Sequence, residues 1–414
     1  MSQLLVLDLG SSQARLAAFH VGASGELDAL AVAQIPSEGV SKGVVVDLDG
    51  ATATISTLVQ ELRKSIAISE DAPVICAIGG TDVEGSNAQG LIPIFPNTRA
   101  ITRDDVFQVI NHSRQAPTPT GRETIQAIPR EFRIDGKKGI VRPIGRTGGR
   151  LEVVTHIVTA DAAHVQNIQR ICRIAGLTAN ELVPVAIAAG AGVVDPNAAT
   201  QGAMVVDFGA ETTKVAIFAG GVIAYQAVIP LGGKAVTSDL MALLKCNEAE
   251  ANRLKTQEAS ALSGKVQEDD TVEVLQQGQD LHRHLQRRVL CEIVESRMRE
   301  ILSFAKLNLD KSGLSGLLPG GVILTGGGAQ LPGLPQLAEQ ILPNMKVRGG
   351  VPSVTGTFSQ EFKRPDLASV VGLARFMADS AADEEFAPVA GEQSWTVKIT
   401  TALMGKLKSN RSIQ

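Results

Sequence analysis

Two short segments carry residue types that could handle phosphate. The first is Asp8-Leu9-Gly10-Ser11-Ser12 and the second is Asp207-Phe208-Gly209-Ala210-Glu211-Thr212-Thr213. Each has an acid, a glycine two positions later, and then small or hydroxyl residues. A tight glycine turn lets backbone N–H groups and hydroxyls converge on an anion. The neighbouring acid would repel phosphate unless a divalent cation lay between them. Mg²⁺ suits that position, because it takes one or two carboxylates, several waters and phosphate oxygens. Asp8 and Asp207 are therefore the expected Mg²⁺ residues, acting through water. Two such turns facing each other would clamp a nucleoside polyphosphate.

A third bare turn, Gly326-Gly327-Gly328, follows the apolar run 321–325 and precedes a helical pattern starting at Ala329. A strand, a glycine turn and a helix make a geometry that lets phosphate approach the backbone. The run is not the dinucleotide fingerprint, and the chain has no G-x-x-x-x-G-K-[ST] loop.

The elements that must position these turns read as strands. Residues 3–8 and 203–207 are apolar runs ending in aspartate, and 14–19 and 212–218 are the returning strands. At a constant offset of 199, Val6 falls on Val205, Asp8 on Asp207, Gly10 on Gly209, Ala17 on Ala216 and Phe19 on Phe218. The chain thus reads as one unit used twice. Residues 103–114 have helical spacing, with Val106, Val109 and Ile110 on one face. Residues 124–134 and 151–159 read as strands, and 281–309 as one long helix without Pro or Gly.

Composition bounds the rest. A length of 414 residues suggests two to three domains. Hydrophobic residues make up 44%, which excludes a wholly disordered chain. Aromatics are 3%, with Tyr225 and Trp395 each the sole residue of its type, so the cores must be aliphatic sheets covered by helices. A formal charge of −4 argues against nucleic acid as a partner. The N-terminus has no basic region and Asp8 breaks its apolar run, so it reads as a strand rather than a signal peptide. No apolar run reaches the ~18–20 residues that span a bilayer. Cys76, Cys172, Cys246 and Cys291 have no metal-ligand or redox spacing and read as reduced cytosolic cysteines.

With the three elements in order, the chain resembles the actin/Hsp70/sugar-kinase ATP-binding superfamily, and within it the FtsA family of bacterial division proteins. The match is carried by residues 43–47 (GVVVD), 129–136 (PREFRIDG), 143–151 (PIGRTGGRL), 229–233 (IPLGG) with 236–239 (VTSD), 284–295, and 324–329 (LTGGGA). It covers about residues 3–376.

The resemblance implies an α/β, actin-like two-lobed ATPase fold made of duplicated ribonuclease-H-like domains, with an FtsA-type inserted subdomain. The first lobe core would be 1–80, resumed at 161–198 and 366–378, with the insert at 81–160. The second lobe core would be 199–236 and 303–365, with a distal subdomain at 237–302. ATP would contact Gly10, Ser11, Ser12, Gly209, Ala210, Glu211, Thr212, Thr213, Gly233, Gly326, Gly327 and Gly328. Glu250 and Lys255 match family positions that approach the adenosine, and Arg287 matches one that contacts the C-terminal peptide of the tubulin-like protein FtsZ. Read without the family, Glu250 and Lys255 are a solvated charge pair. Likewise Arg287 belongs to a solvent-facing run with Arg283 and Arg288, while His282 and His284 are surface residues.

The chain departs from the family pattern at three places. Gln13 follows the first turn where a Lys is usual, Glu211 replaces a glycine near the expected γ-phosphate, and Lys214 replaces an Asp. A carboxylate beside triphosphate is unfavourable without a cation. Either Glu211 points away, or Lys214 or the metal offsets its charge. Such substitutions are also a feature of the related pilus-assembly protein PilM.

The tail changes character twice. Residues 379–392 carry five acids and no base, a flexible acidic linker, and 393–414 carry four bases and no acid. At 100° per residue, Trp395, Ile399, Leu403 and Leu407 fall on one face. The pattern suits a helix lying in an anionic membrane interface; the plainer alternative is a helix docked on its own domain. FtsA proteins are similar in ending with a linker and a membrane-targeting helix. The resemblance therefore implies a weak ATPase at most. It would polymerise, tether FtsZ to the cytoplasmic face of the inner membrane at the division septum, and meet other division proteins. The alternatives are a PilM-like adaptor of type IV pilus assembly and a phosphotransferase, for which no general base is evident.

Overall fold

The aliphatic segments assemble into two five-stranded sheets of the same topology. The structure is a computed structural model describing residues 2–22, 25–96, 99–115, 118–140, 142–276 and 282–382. In the first sheet Ser2–Leu9, Gln13–Val21 and Leu27–Pro36 form an antiparallel meander, and Val74–Ile78 and Ala179–Pro184 add in parallel beyond Ser2–Leu9. In the second, Ala203–Phe208, Thr213–Ala219 and Val222–Ile229 form the meander, and Val322–Thr325 and Val347–Gly349 add in parallel. The duplication read at an offset of 199 is therefore a duplication of strand order. Leu4 to Leu7 are at most 2% exposed, which explains why this strand reads as a continuous apolar run rather than an alternating one.

Helices close both sheets. Leu48–Ser65 is capped by Asp47, whose carboxylate accepts from the Asp49 N–H, and buries Ile55, Leu58 and Leu62 against the first sheet. Val185–Val193 is apolar all round and touches strands of both sheets, so it is a buried connector. Ala368–Ala382 returns from the second lobe and packs on it. The two helices meet backbone to backbone: a Cβ on Gly372 would lie 1.7 Å from the Ala188 carbonyl oxygen. This helix begins after the turn Pro365–Leu367 and runs to Ala382, so it covers the first four residues of the expected acidic linker. The remainder, with Trp395, Ile399, Leu403 and Leu407, lies outside the described residues.

Between Val74–Ile78 and Ala179–Pro184 the chain builds a separate four-stranded antiparallel sheet, ordered Glu84–Pro93, Arg150–Asp161, Arg122–Ile134, Lys137–Ile140. Helix Arg103–Arg114 lies on it. Its start is fixed by a reciprocal pair: the Thr102 hydroxyl accepts from the Asp105 N–H, and the Asp105 carboxylate accepts from the Thr102 N–H. Val106, Val109 and Ile110 pack with Phe132, Ile134, Leu151 and Val153 in a core of their own.

Two expectations change. The run 281–309 is not one helix: His282–Gln286 is a strand paired with Thr271–Leu275, and the helix is Arg287–Ser312. Residues 282–286 are mostly polar and carry no apolar helical face of their own, and pairing with the neighbouring strand decides for the sheet there. The helix expected directly after the triple glycine starts later. Gly327–Gln330 form a short 3-10 turn, and Leu334–Ile341 is the helix, because Pro332 and Gly333 at φ 80° interrupt it.

Candidate functional site

The equivalent hairpins set the site. Strand register places Asp8 opposite Arg15 and Asp207 opposite Lys214, so each hairpin pairs an acid with a base on one face. Both turns close with the same bond: the Gly10 N–H donates to the Gln13 carbonyl at 3.1 Å, and the Gly209 N–H to the Thr212 carbonyl at 3.0 Å. A Cβ on Gly209 would lie 2.8 Å from both the Thr212 carbonyl oxygen and Lys214 Nζ, so the second turn has no room for one. The turn is held from behind, since its Gly209 and Ala210 carbonyls accept from the N–H groups of Gly233 and Lys234 at 3.0 and 2.7 Å.

The hairpins open onto one cavity of about 540 Å³, within the range that holds small ligands. Its wall includes Asp8, Gly10, Ser11 and Ser12 from the first lobe, and Asp207, Gly209, Ala210, Glu211, Thr212 and Gly233 from the second. Gly326, Gly327 and Gly328 complete that side. Gly326 sits at φ 84°, where a Cβ would come within 2.2 Å of Asp207 Oδ1 and 2.6 Å of the Phe208 carbonyl oxygen. Val236, Val294, Met298, Leu331 and Pro332 give another part of the wall an aliphatic surface.

Lys255 also lines the cavity, from a π-type turn at Leu254–Glu258. Its ammonium donates to Thr237 Oγ1 at 2.7 Å, Asn252 Oδ1 at 2.9 Å and the Gly233 carbonyl at 3.2 Å, and burial pulls its pKa down.

Two residues expected at the nucleotide lie elsewhere. Thr213 is fully buried and absent from the wall, and its hydroxyl donates to the Leu231 carbonyl at 2.8 Å. Strand alternation turns it to the opposite side from Thr212. Glu250 is also absent from the wall: its carboxylate takes Arg253 at 2.8 Å through both oxygens, and the Leu275 N–H at 3.1 Å. Arg287 stands outside the cavity, bonded to the Glu258 carbonyl at 2.7 Å and to Asp270 at 3.4 Å.

Glu211 does not point away. Its carboxylate crosses to the first lobe, accepting from the Lys42 N–H at 2.5 Å and the Ser41 hydroxyl at 3.1 Å, and it pairs with Lys234 at 2.9 Å. Burial pushes this carboxyl up, but the Lys42 N–H and Lys234 more than offset that and hold it below the usual range. Lys234, not Lys214, offsets its charge.

Lys214 instead stands 3.7 Å from Asp207 Oδ2. Burial pushes the Asp207 carboxyl up; Lys214 opposes this and the nearby Asp8 adds to it. Asp8 accepts from the Ser369 hydroxyl at 2.5 Å. The two carboxylates as they stand do not fit a divalent cation held directly between them: Asp8 Oδ2 takes a hydroxyl, and Asp207 faces an ammonium. Among the described residues no group of three or more His, Cys, Asp or Glu side chains is placed to hold a metal. Arg15, Ser41, Lys42, Lys234 and Ser369 went unread in the sequence. The offset of 199 also lays Arg15 on Lys214, a signal that counting identities passes over.

Comparisons with known proteins bear on family and fold. A family model described as cell division protein FtsA matches residues 204–372, and one described as SHS2 domain inserted in FTSA matches residues 80–159, the region of the separate sheet. The cell division protein FtsA of Borreliella burgdorferi is 30% identical over 408 residues, covering 98% of this chain and 98% of the relative. Among solved structures, a PilM–PilN type IV pilus biogenesis complex aligns with TM-score 0.64 at 18% identity, over 93% of this chain and 99% of that one. MreB5 of Spiroplasma citri bound to ADP aligns with TM-score 0.57 at 12% identity, over 94% and 99%. The structural likenesses establish an actin-like fold. The full-length sequence match goes further, and the chain belongs to the FtsA family of cell division proteins.

Proposed function

We propose that this chain is a nucleotide-binding, actin-like scaffold of the division machinery. It takes ATP between the two hairpin turns, assembles end to end with further copies, and attaches FtsZ filaments to the cytoplasmic face of the cell membrane at the division site. The observation that carries this reading is the pair of equivalent turns opening onto one cavity. Backbone N–H groups and the hydroxyls of Ser11, Ser12 and Thr212 suit the polyphosphate, and the aliphatic wall around Val236 and Met298 suits the base. A structural neighbour, MreB5, binds ADP.

Nucleotide acts here by shifting lobe closure rather than by rapid turnover. Hydrolysis needs a group to position or activate water, and the acid nearest that role, Glu211, is held by three partners. On this reading the chain is a weak ATPase at most.

The FtsZ peptide is assigned to the face around Arg287 and Arg288. Both already pair within the chain, with Asp270 at 3.4 Å and Glu292 at 3.4 Å, so an acidic peptide would bind there by exchanging partners. Among the described residues no helix is long and apolar enough to cross a membrane. Attachment is assigned to Trp395, Ile399, Leu403 and Leu407 in the basic C-terminal segment. Other division proteins would join the assembled scaffold. Sedimentation of the full chain with FtsZ and anionic vesicles tests the whole reading. FtsZ should pellet with vesicles only when the chain is present, and should stay in solution with Arg287→Glu. FtsZ that never pellets would overturn it.

A further inference from the structure

An anion site between two acids must obtain positive charge from somewhere. In this chain the hairpins supply it. Lys214 lies opposite Asp207 and Arg15 lies opposite Asp8, at equivalent positions of the duplicated unit. Both side chains line the cavity and both are largely buried, at 14% and 11% exposed. Lys214 Nζ sits over the second turn, where it would meet a Cβ on Gly209 at 2.8 Å. Its distance of 3.7 Å from Asp207 is that of an ion pair looser than a direct hydrogen bond.

Other bases match the surrounding acids: Lys234 pairs with Glu211 at 2.9 Å, and Arg364 shares Asp366 with Arg15, at 2.5 and 2.9 Å. Lys214 and Arg15 are then left opposite the two hairpin acids, Asp207 and Asp8, which a bound cation would otherwise have to offset. A divalent cation added next to Lys214 would face an ammonium across a short, poorly screened gap. The two side-chain charges equal the charge of the cation they would displace.

We propose that Lys214, with Arg15 as its counterpart, takes the place of the divalent cation, so that the site binds the polyphosphate of a nucleotide as the metal-free anion. This rests on the nucleotide reading above. Lys214 bridges Asp207 and phosphate oxygens as Mg²⁺ would, on a flexible stem and without the octahedral geometry that ion demands. Such a site prefers free nucleotide over its Mg²⁺ complex.

The test is calorimetric titration of ATP into the full chain, once in Mg²⁺ and once in EDTA. The wild-type dissociation constant should be lower in EDTA than in Mg²⁺, by about threefold or more. Lys214→Asp, which puts in the acid that the family pattern carries, should bind about tenfold or more weakly in EDTA and recover with Mg²⁺. Should that variant not fold, Lys214→Gln should lose affinity in EDTA and lose less in Mg²⁺. A wild-type chain that binds in Mg²⁺ and no tighter in EDTA overturns the inference while leaving the nucleotide reading intact. Absence of binding in both conditions removes the nucleotide reading and this inference with it.

Discussion

The Glu211 carboxylate accepts a hydrogen bond from the Lys42 backbone N–H at 2.5 Å, across 169 residues of sequence and from one lobe to the other. The first-lobe partner lies in the small hairpin formed by Val40–Ser41 and Val44–Val45. That hairpin also touches the first turn, since the Gly43 N–H donates to Ser11 Oγ at 3.0 Å. A side chain of the second turn is thus fastened to an element that holds the first.

Glu211→Gln keeps the shape and removes the charge. It should cost about 1–2 kcal/mol in denaturant titrations, because a charge-assisted acceptor is lost while an amide oxygen remains. Amide exchange at residues 40–45 should quicken. The wild-type carboxyl is held below its usual range, so its contribution is full above the unfolded value and is lost as pH falls through the folded one. Unchanged exchange at 40–45 would show that the contact does not fasten the lobes.

Gly326→Ala places a methyl against Asp207 Oδ1 and the Phe208 carbonyl at a left-handed φ of 84°. It should destabilise the chain by about 2–4 kcal/mol and push the second acid out of place. ATP affinity should fall by about tenfold or more. Wild-type melting and wild-type affinity together would contradict the packing described here.

His156 in the inserted sheet gives a pH signature far from the cavity. Burial, reinforced by Arg130, lowers its pKa to about 3. Its Nδ1 meets Asn87 Oδ1 at 3.0 Å, while Nε2 has no hydrogen-bond partner. The folded chain keeps the ring neutral, whereas the unfolded chain protonates it near pH 6.5. Its contribution is therefore present above the unfolded value and shrinks as pH falls from there towards the folded one. By pH 5 the loss amounts to about 2 kcal/mol. Comparing wild type with His156→Gln by urea titration between pH 7 and pH 5 should show a shallower decline in the variant. Parallel declines would rule the ring out as their source.

The C-terminal segment is tested with vesicles. The full chain should pellet with anionic vesicles, a chain ending at residue 392 should not, and Trp395 emission should shift to the blue on binding. Trp395 is the sole tryptophan, so the signal reports this segment alone. Equal pelleting of both chains would place the membrane contact elsewhere.

The parts of the site that sequence revealed are those fixed by local pairing. Asp8, Gly10, Asp207 and Gly209 occupy hairpins, whose two arms lie close in sequence, and a constant offset sufficed to find them. What escaped depends on contacts between distant segments. Nothing near Glu211 announces Ser41, Lys42 or Lys234 as its partners. Other signals were present and unread. Alternation along Thr213–Ala219 separates Thr213 from Thr212, and the spacing of Glu250 and Arg253 on one helical face points to a pair that withdraws Glu250 from the cavity. The fold itself was legible because its strands are long, aliphatic and repeated.

If both turns grip one nucleotide, amide hydrogen exchange on the full chain should slow together at residues 10–13, 209–212 and 326–328 when ATP is added. Slowing at one turn alone, or at none of the three, would contradict it.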